Sequence, residues 1–295
     1  MRLKTLLTVL ILSLFSIFVF GQELPKVTLT DLQDLPAEQG KDTSFGYAGM
    51  LGGLHNDAII AAGGANFPES LPWEGGKKVW SDNIYILENE KWQLSNTKLP
   101  IPLGYSASVV TEKGILGIGG NNESGITDKV FLISYDKKSK QINIIDYPSL
   151  PQPLAFTKAE IFEDYVYVIG GRNPEQSTNS FYRLDLKEPN SWEQLDDFPG
   201  PARAVHTSVI QNTGDSKKIF VFGGRNETAD KKSEALSSYI SYDLNKKTWQ
   251  EEGDILIDNK PSVLMGASAE ALGSMHILVY GGSDEILFDK LENYG

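Results

Sequence analysis

The sequence predicts an all-β fold of repeated four-stranded blades, and three observations carry that expectation. Apolar runs ending in a glycine pair recur five times: AIIAAGG to Gly64, GILGIGG to Gly120, YVYVIGG to Gly171, IFVFGG to Gly224 and ILVYGG to Gly282. The second glycines stand 56, 51, 53 and 58 residues apart. A small-residue strand precedes each run, and a Tyr-containing strand and usually a tryptophan-bearing one follow it. A period near 50 residues with a double glycine is the kelch signature of a β-propeller. Small residues inside and aromatics outside suit a blade that twists and widens away from the central axis.

Taken in order, residues 1–21 stand apart. Arg2 and Lys4 precede a mostly apolar stretch from Leu6 to Phe20, and Val19 and Gly21 fit the small-residue pattern before a cleavage site. That is the pattern of a secretory signal peptide, and the apolar stretch is short for a membrane span. The mature chain is expected to begin near Gln22 and to be periplasmic or secreted. Residues 22–45 contain VTLTDLQDLP, Val27 to Pro36, which resembles the fourth strand of a unit and is comparable to WEQLDDFP at Trp192 to Pro199. It is expected to be a ring-closing strand. Blades follow at approximately 46–100, 101–151, 152–200, 201–260 and, in part, 261–295. Trp92, Trp192 and Trp249 take the fourth-strand position, with Ile142 there in the second unit. About four and a half of an intended six blades are expected, so the sequence reads as C-terminally incomplete.

The net charge of −12 becomes −14 once Arg2 and Lys4 are removed with the leader. An acidic surface repels nucleic acid and anionic membranes, and neither is an expected partner. The absence of cysteine excludes disulfides, a lipid-anchored cysteine and thiolate metal sites. His55, His206 and His276 share no metal-ligand spacing, and His55 and His276 read as exposed turn residues. No metal or cofactor is expected. The stretch AAGGANFPESLPWEGGKKVW, Ala61 to Trp80, is not a phosphate loop: Leu71 stands where the first glycine is needed, and Lys78, not Ser or Thr, follows Lys77.

Function is expected on the loops that follow each glycine pair, because they rim one mouth of the channel on a rigid scaffold. Arg172 and Arg225 each directly follow a pair, and Arg203 begins an innermost strand. Together they could converge on a carboxylate through their forked donors; the alternative is that they pair with blade carboxylates such as Asp185 or Glu227. Asn66, Asn121 and Glu123 stand at comparable loop starts, as hydrogen-bonding or acid/base candidates or as ordinary exposed residues.

YAGMLGGLHNDAIIAAGGANFPESLPWEGGKKVWSDNIYIL resembles the signature blade of the bacterial N-acetylneuraminate epimerases, or sialic acid mutarotases, in their cyclically permuted form. GYSASVVTEKGILGIGGNNESGITDKVFLIS is similar to the blade that ends the unpermuted chains, and units three to five resemble their first three blades. The resemblance covers nearly all of residues 24–295. It implies a six-bladed exported propeller that interconverts the α and β anomers of N-acetylneuraminate, a small-molecule sugar acid. Ring opening needs a base for the anomeric hydroxyl and an acid for the ring oxygen, with Arg172, Arg203 and Arg225 as candidates to hold the sugar carboxylate. Trp73, Trp80 or Lys77 is expected to shape one wall of the pocket. The family's acid/base glutamate is expected in a blade beyond residue 295, so this chain is expected to bind poorly and not to catalyse; Glu123, in another blade's loop, does not inherit that role. The alternative is a non-catalytic exported kelch propeller that binds a glycan or protein partner. Copper-radical galactose oxidases share the fold but need a cysteine linked to tyrosine, and the chain has no cysteine.

Overall fold

The structure is a computed structural model and describes residues 26–28, 30–37, 42–228, 231–284 and 286. It divides into two compact units. In Met1–Asp31, the described residues 26–28, 30 and 31 are exposed and form no strand; the signal peptide expected over 1–21 lies outside the described residues. Leu32–Gly295 holds the repeats.

Among its described residues this second unit holds four four-stranded antiparallel blades, one longer hairpin and four short two-stranded ladders. Blade 1 runs Leu51–His55, Ala58–Ala62, Ile84–Glu88 and Lys91–Leu94; blade 2 runs Ala107–Thr111, Gly114–Ile118, Val130–Asp136 and Gln141–Tyr147. Blade 3 comprises Lys158–Phe162, Tyr165–Ile169, Phe181–Asp185 and Glu193–Leu195, and blade 4 comprises Thr207–Asn212, Lys217–Phe222, Ser238–Asp243 and Thr248–Asp254. The hairpin Met265–Leu272 with His276–Ser283 is the inner half of a fifth. The predicted propeller is therefore the observed architecture. In each blade the strands pair in sequence order, and the innermost strands of consecutive blades are neighbours.

The core lies between blades. Leu51, Ile60 and Ile84 of blade 1 meet Ile115, Phe131 and Ile133 of blade 2. Leu116, Ile118 and Leu132 of blade 2 meet Val166, Val168 and Tyr182 of blade 3, and Phe181 and Phe198 meet Ile219, Ile240 and Tyr242. A middle strand is thus covered on both faces, which explains why Ile84–Glu88 and Gly114–Ile118 are buried at every position and why the sequence shows unbroken apolar runs there. Each such side chain removed from water contributes about 1.5–3 kcal/mol. On blade 1, Leu54 and Ile59 are exposed, as are Val279 and Tyr280 on the fifth hairpin.

The glycine pairs join one blade to the next. In blade 2, the Gly120 N–H donates to the Leu154 carbonyl at the entry to blade 3, at 2.7 Å. Gly119 has φ +60, and a Cβ there would lie 2.1 Å from that same oxygen. The first glycine leaves room for the carbonyl that the second one binds. Gly64, Gly171 and Gly224 make the equivalent bonds to Leu103, Arg203 and Leu264 at 2.8, 2.9 and 2.7 Å. A second set of main-chain bonds runs round the inner end: Tyr105 N–H to Gly49 O at 2.8 Å, Phe156 to Tyr105 and Val205 to Phe156 at 3.0 Å, and Gly266 to Val205 at 2.8 Å.

The ring-closing strand expected at Val27 to Pro36 forms no ladder among the described residues. Within the second unit, Gln33 instead accepts the Trp92 indole N–H at 2.9 Å, as Pro148 accepts that of Trp192 at 2.8 Å. Residues 32–37 thus meet blade 1 where the exit from blade 2 meets blade 3, through one carbonyl.

Candidate functional site at the channel mouth

After each of the first four glycine pairs the chain makes an isolated bridge to the segment entering its own blade: Ala65 with Ala48, Asn121 with Gly104, Arg172 with Ala155 and Arg225 with Ala204. Asn121, Arg172 and Arg225 therefore occupy one structural position on three successive blades, and Asn66 follows it on the first. Their side chains have different partners. Arg172 Nε lies 3.0 Å from Glu227 Oε1, and Arg225 Nη2 lies 3.0 Å from Glu227 Oε2. Of the two blade carboxylates considered, the arginines meet Glu227.

Arg203 is placed elsewhere. It is fully buried, and its guanidinium donates to the carbonyls of Gly223 and Ser238 at 3.1 Å and to Ser238 Oγ at 3.2 Å. Burial pulls its pKa down to about 10. Its guanidinium ties the segment entering blade 4 to that blade's own second and third strands, away from Arg172.

The loop from Ala65 to Trp80 is stiffened by a short ladder that pairs Ala65 with Trp80 and Asn66 with Val79, and by a single helical turn, Pro72–Glu74. Trp73 and Lys77 are exposed. Lys78 points inward instead, its Nζ 5.0 Å from the Tyr105 ring centroid and 5.8 Å from those of Phe67 and Trp80. Tyr105 in turn packs on Phe156, with centroids 4.7 Å apart. Trp80 Nε1 donates to Asn121 Oδ1 at 3.0 Å, tying this loop to blade 2, and Asn66 Nδ2 donates to Gly46 O at 3.0 Å. Glu123 is exposed. A cavity of about 510 Å³ opens beside the loop, lined by Tyr47, Asn66, Trp80, Asn83 and Tyr85 among others. Trp80→Phe keeps the ring and removes the bond to Asn121; it is expected to cost about 1 kcal/mol, read as a fall of about 2–4 °C in Tm by calorimetry.

Deeper between blades 3 and 4, Ser208 Oγ donates to Glu160 Oε1 at 2.6 Å. Burial raises the Glu160 pKa to about 7, against the opposing pull of that hydrogen bond and of Lys158. Lys158 is itself lowered by burial. His206 is wholly buried with neither ring nitrogen hydrogen-bonded, the carbonyls of Arg203 and Ile169 lying close but outside bonding geometry. Burial, with the Arg203 and Lys158 cations, pushes its pKa down to about 3. His55, expected to be exposed, is buried because its Nδ1 accepts the Tyr135 N–H at 3.1 Å. Among the described residues, no three His, Asp or Glu side chains gather as a metal site.

The loops after the glycine pairs and the segments entering the blades thus carry two arginines on adjacent blades, a lysine over aromatic rings, and Tyr105 and Phe156 with tilted rings in contact. Cations suit a carboxylate, and aromatic faces suit the C–H faces of a sugar ring or an acyl group. Sequence reasoning singled out the arginines but missed Lys78, Tyr105 and Phe156. In the structure exposed Lys77 and Val79 alternate with half-buried Lys78 and Trp80, a pattern that the residue types of KKVW do not display.

The family model for N-acetylneuraminate epimerase matches residues 20–142 and 147–293 of this chain. An N-acetylneuraminate epimerase of Haemophilus influenzae (strain PittEE) is 38% identical over 122 residues, 38% of this chain and 32% of that protein. One from Brucella melitensis is 32% identical over 121 residues, covering 38% and 31%, and one from Salmonella typhi is 31% identical over 145 residues, covering 48% and 35%. The chain thus spans about a third of the length of these curated relatives. The solved structure of YjhT aligns with a TM-score of 0.65 over 81% of this chain and 78% of that one, at 14% identity, a likeness of fold.

Proposed function

This chain belongs to the N-acetylneuraminate epimerase family, and from that premise we propose that it is an exported sugar-acid propeller whose chemistry is interconversion of the α and β anomers of N-acetylneuraminate. The observation that carries the reading is the placement of Arg172 and Arg225 on adjacent blades, close enough together that both reach the single carboxylate of Glu227. In this sugar the carboxylate is bonded to the anomeric carbon itself. Cations that hold it also lie beside the oxygen that becomes negative when the anomeric hydroxyl gives up its proton. Opening transfers that proton to a base while an acid protonates the departing ring oxygen; the open-chain ketone then recloses on its other face. Tyr105 and Phe156 would pack against the ring, and Lys78 would add positive charge at the rim.

Proton NMR on α-rich N-acetylneuraminate tests this. In a protein that also carries the blade expected to hold the acid/base glutamate, anomer exchange faster than in buffer, abolished by Arg172→Gln, is the expected result. Exchange at the buffer rate sinks the isomerase reading, and saturation transfer to the sugar in that sample would leave a binding propeller.

A further inference from the structure

Lys158 and Glu160 stand two residues apart on the innermost strand of blade 3, so both side chains leave the same face of Lys158–Phe162. That face meets blade 4, where Ser208 Oγ donates to Glu160 Oε1 at 2.6 Å. Among the described residues, Lys158 Nζ and Glu160 Oε2 have no hydrogen-bond or ion-pair partner. Each residue keeps some exposure, and neither atom is sealed from solvent, unlike Arg203 Nε and both ring nitrogens of His206. An ammonium drawn out of water without an anion beside it is costly. A carboxyl with one oxygen unoccupied has a donor to give when it is protonated.

Few other charges face the pair. Glu160 is the charge that acts on Lys158, and Lys158 and Glu270 are those that act on Glu160. His206 is held neutral near pH 7 by burial and by the Arg203 and Lys158 cations. On the other side, the blade 2 strand Ala107–Thr111 carries no charged residue. Blade 4 separates blade 3 from the fifth hairpin, so the field of Glu270 at Glu160 crosses the channel and puts this carboxyl on the channel side of the cleft. Glu160, with its pKa near 7, is about half protonated at neutral pH. The charge on the pair therefore moves from +1 to 0 as Glu160 ionises.

We propose that Lys158 and Glu160 form a channel site that takes a small organic carboxylate together with one proton: the ammonium pairs with the anion, and the protonated carboxyl donates its O–H to it. Ionised Glu160 has no proton to donate and repels the same anion, so binding draws a proton onto this side chain. The sugar-acid reading above supplies only the identity of the carboxylate.

Ligand-observed NMR titrations of the 295-residue chain with N-acetylneuraminate and with pyruvate, at pH 6, 7 and 8, test the site. Both ligands stay ionised over that range, since free α-carboxyl groups titrate near pH 3.5. Affinity is expected to fall about tenfold per pH unit above 7, the slope of one linked proton. Glu160→Gln, whose amide keeps a donor, is expected to retain the affinity measured at pH 6 and to lose that slope. Lys158→Met is expected to weaken binding about tenfold or more at pH 6, the effect of one charge at close range. Equal affinity in Lys158→Met overturns the proposal and leaves the sugar acid held elsewhere; a slope unchanged in Glu160→Gln overturns it too, because a merely structural glutamate would not set the proton count. Failure of the unaltered chain to bind either carboxylate also overturns it. Pyruvate bound with the expected slope, and N-acetylneuraminate not bound, upholds the site and sinks the sugar-acid reading.

Discussion

Gly119→Ala is expected to destabilise the propeller by about 3–5 kcal/mol, near the top of the range for single substitutions. The new Cβ would lie 2.1 Å from the Leu154 carbonyl oxygen. That oxygen belongs to the backbone and also accepts the Gly120 N–H at 2.7 Å, so relief of the clash breaks the junction between blades 2 and 3. The positive φ adds about 1–2 kcal/mol for any residue with a Cβ. The repeat supplies its own control. Gly281 is the first glycine of the fifth pair and has φ +68, yet a Cβ there meets nothing within 4 Å among the described residues. Gly281→Ala should cost only the conformational part. Urea unfolding of the two variants measures the difference, and equal losses would show that the carbonyl contact does not explain the glycine pair.

Glu160→Gln is expected to change the pH profile of stability by about 3 kcal/mol. Glu160 has a pKa of about 7 in the folded chain against an ordinary value of 4.5. The folded state therefore binds more protons between those values, and the contribution of Glu160, full below pH 4.5, is lost as pH rises towards 7. A displacement of about 2.5 units at 1.36 kcal/mol each sets the size. Lys158, Ser208 and, more weakly, Glu270 are the groups that act on it. His206 works in the opposite direction. Its folded value of about 3 lies below 6.5, so its contribution is lost as pH falls from 6.5 towards 3. The two slopes oppose one another between pH 4.5 and 6.5 and flatten the profile of the unaltered protein. Relative to that protein, Glu160→Gln should gain about 3 kcal/mol between pH 4.5 and pH 7.5 in urea titrations. A difference that does not vary with pH would refute the buried-carboxyl account.

The blades were legible because their cause is local. A strand covered on both faces needs a continuous apolar run, and a close approach of two main chains needs glycine, so both requirements recur at each unit. The arginines after Gly171 and Gly224 were legible for the same reason, since the repeat fixes their position. Contacts between blades were not. Glu160 meets Ser208 across 48 residues, a pairing set by how neighbouring innermost strands lie against one another and not by any spacing along the chain. Arg203 shows a related limit: its place at the start of a strand suggested the rim, while its side chain turns to main-chain carbonyls 20 and 35 residues further along the chain. Lys77 and Lys78 were adjacent choices that only the two-residue ladder at Val79–Trp80 separates.

The inner hydrogen bonds that link Gly49, Tyr105, Phe156, Val205 and Gly266 use main-chain atoms alone. Tyr105, Phe156 and Val205 adopt φ values of +58, +54 and +57 there, so the left-handed backbone is imposed by the circuit and not chosen by the residue type. A glycine, an aromatic and a β-branched side chain all occupy the same station. The collar is in effect a set of interchangeable mountings: what it displays to the lumen can be exchanged by substitution without retying the knots that hold it, which gives one scaffold the means to line its channel for differently shaped guests.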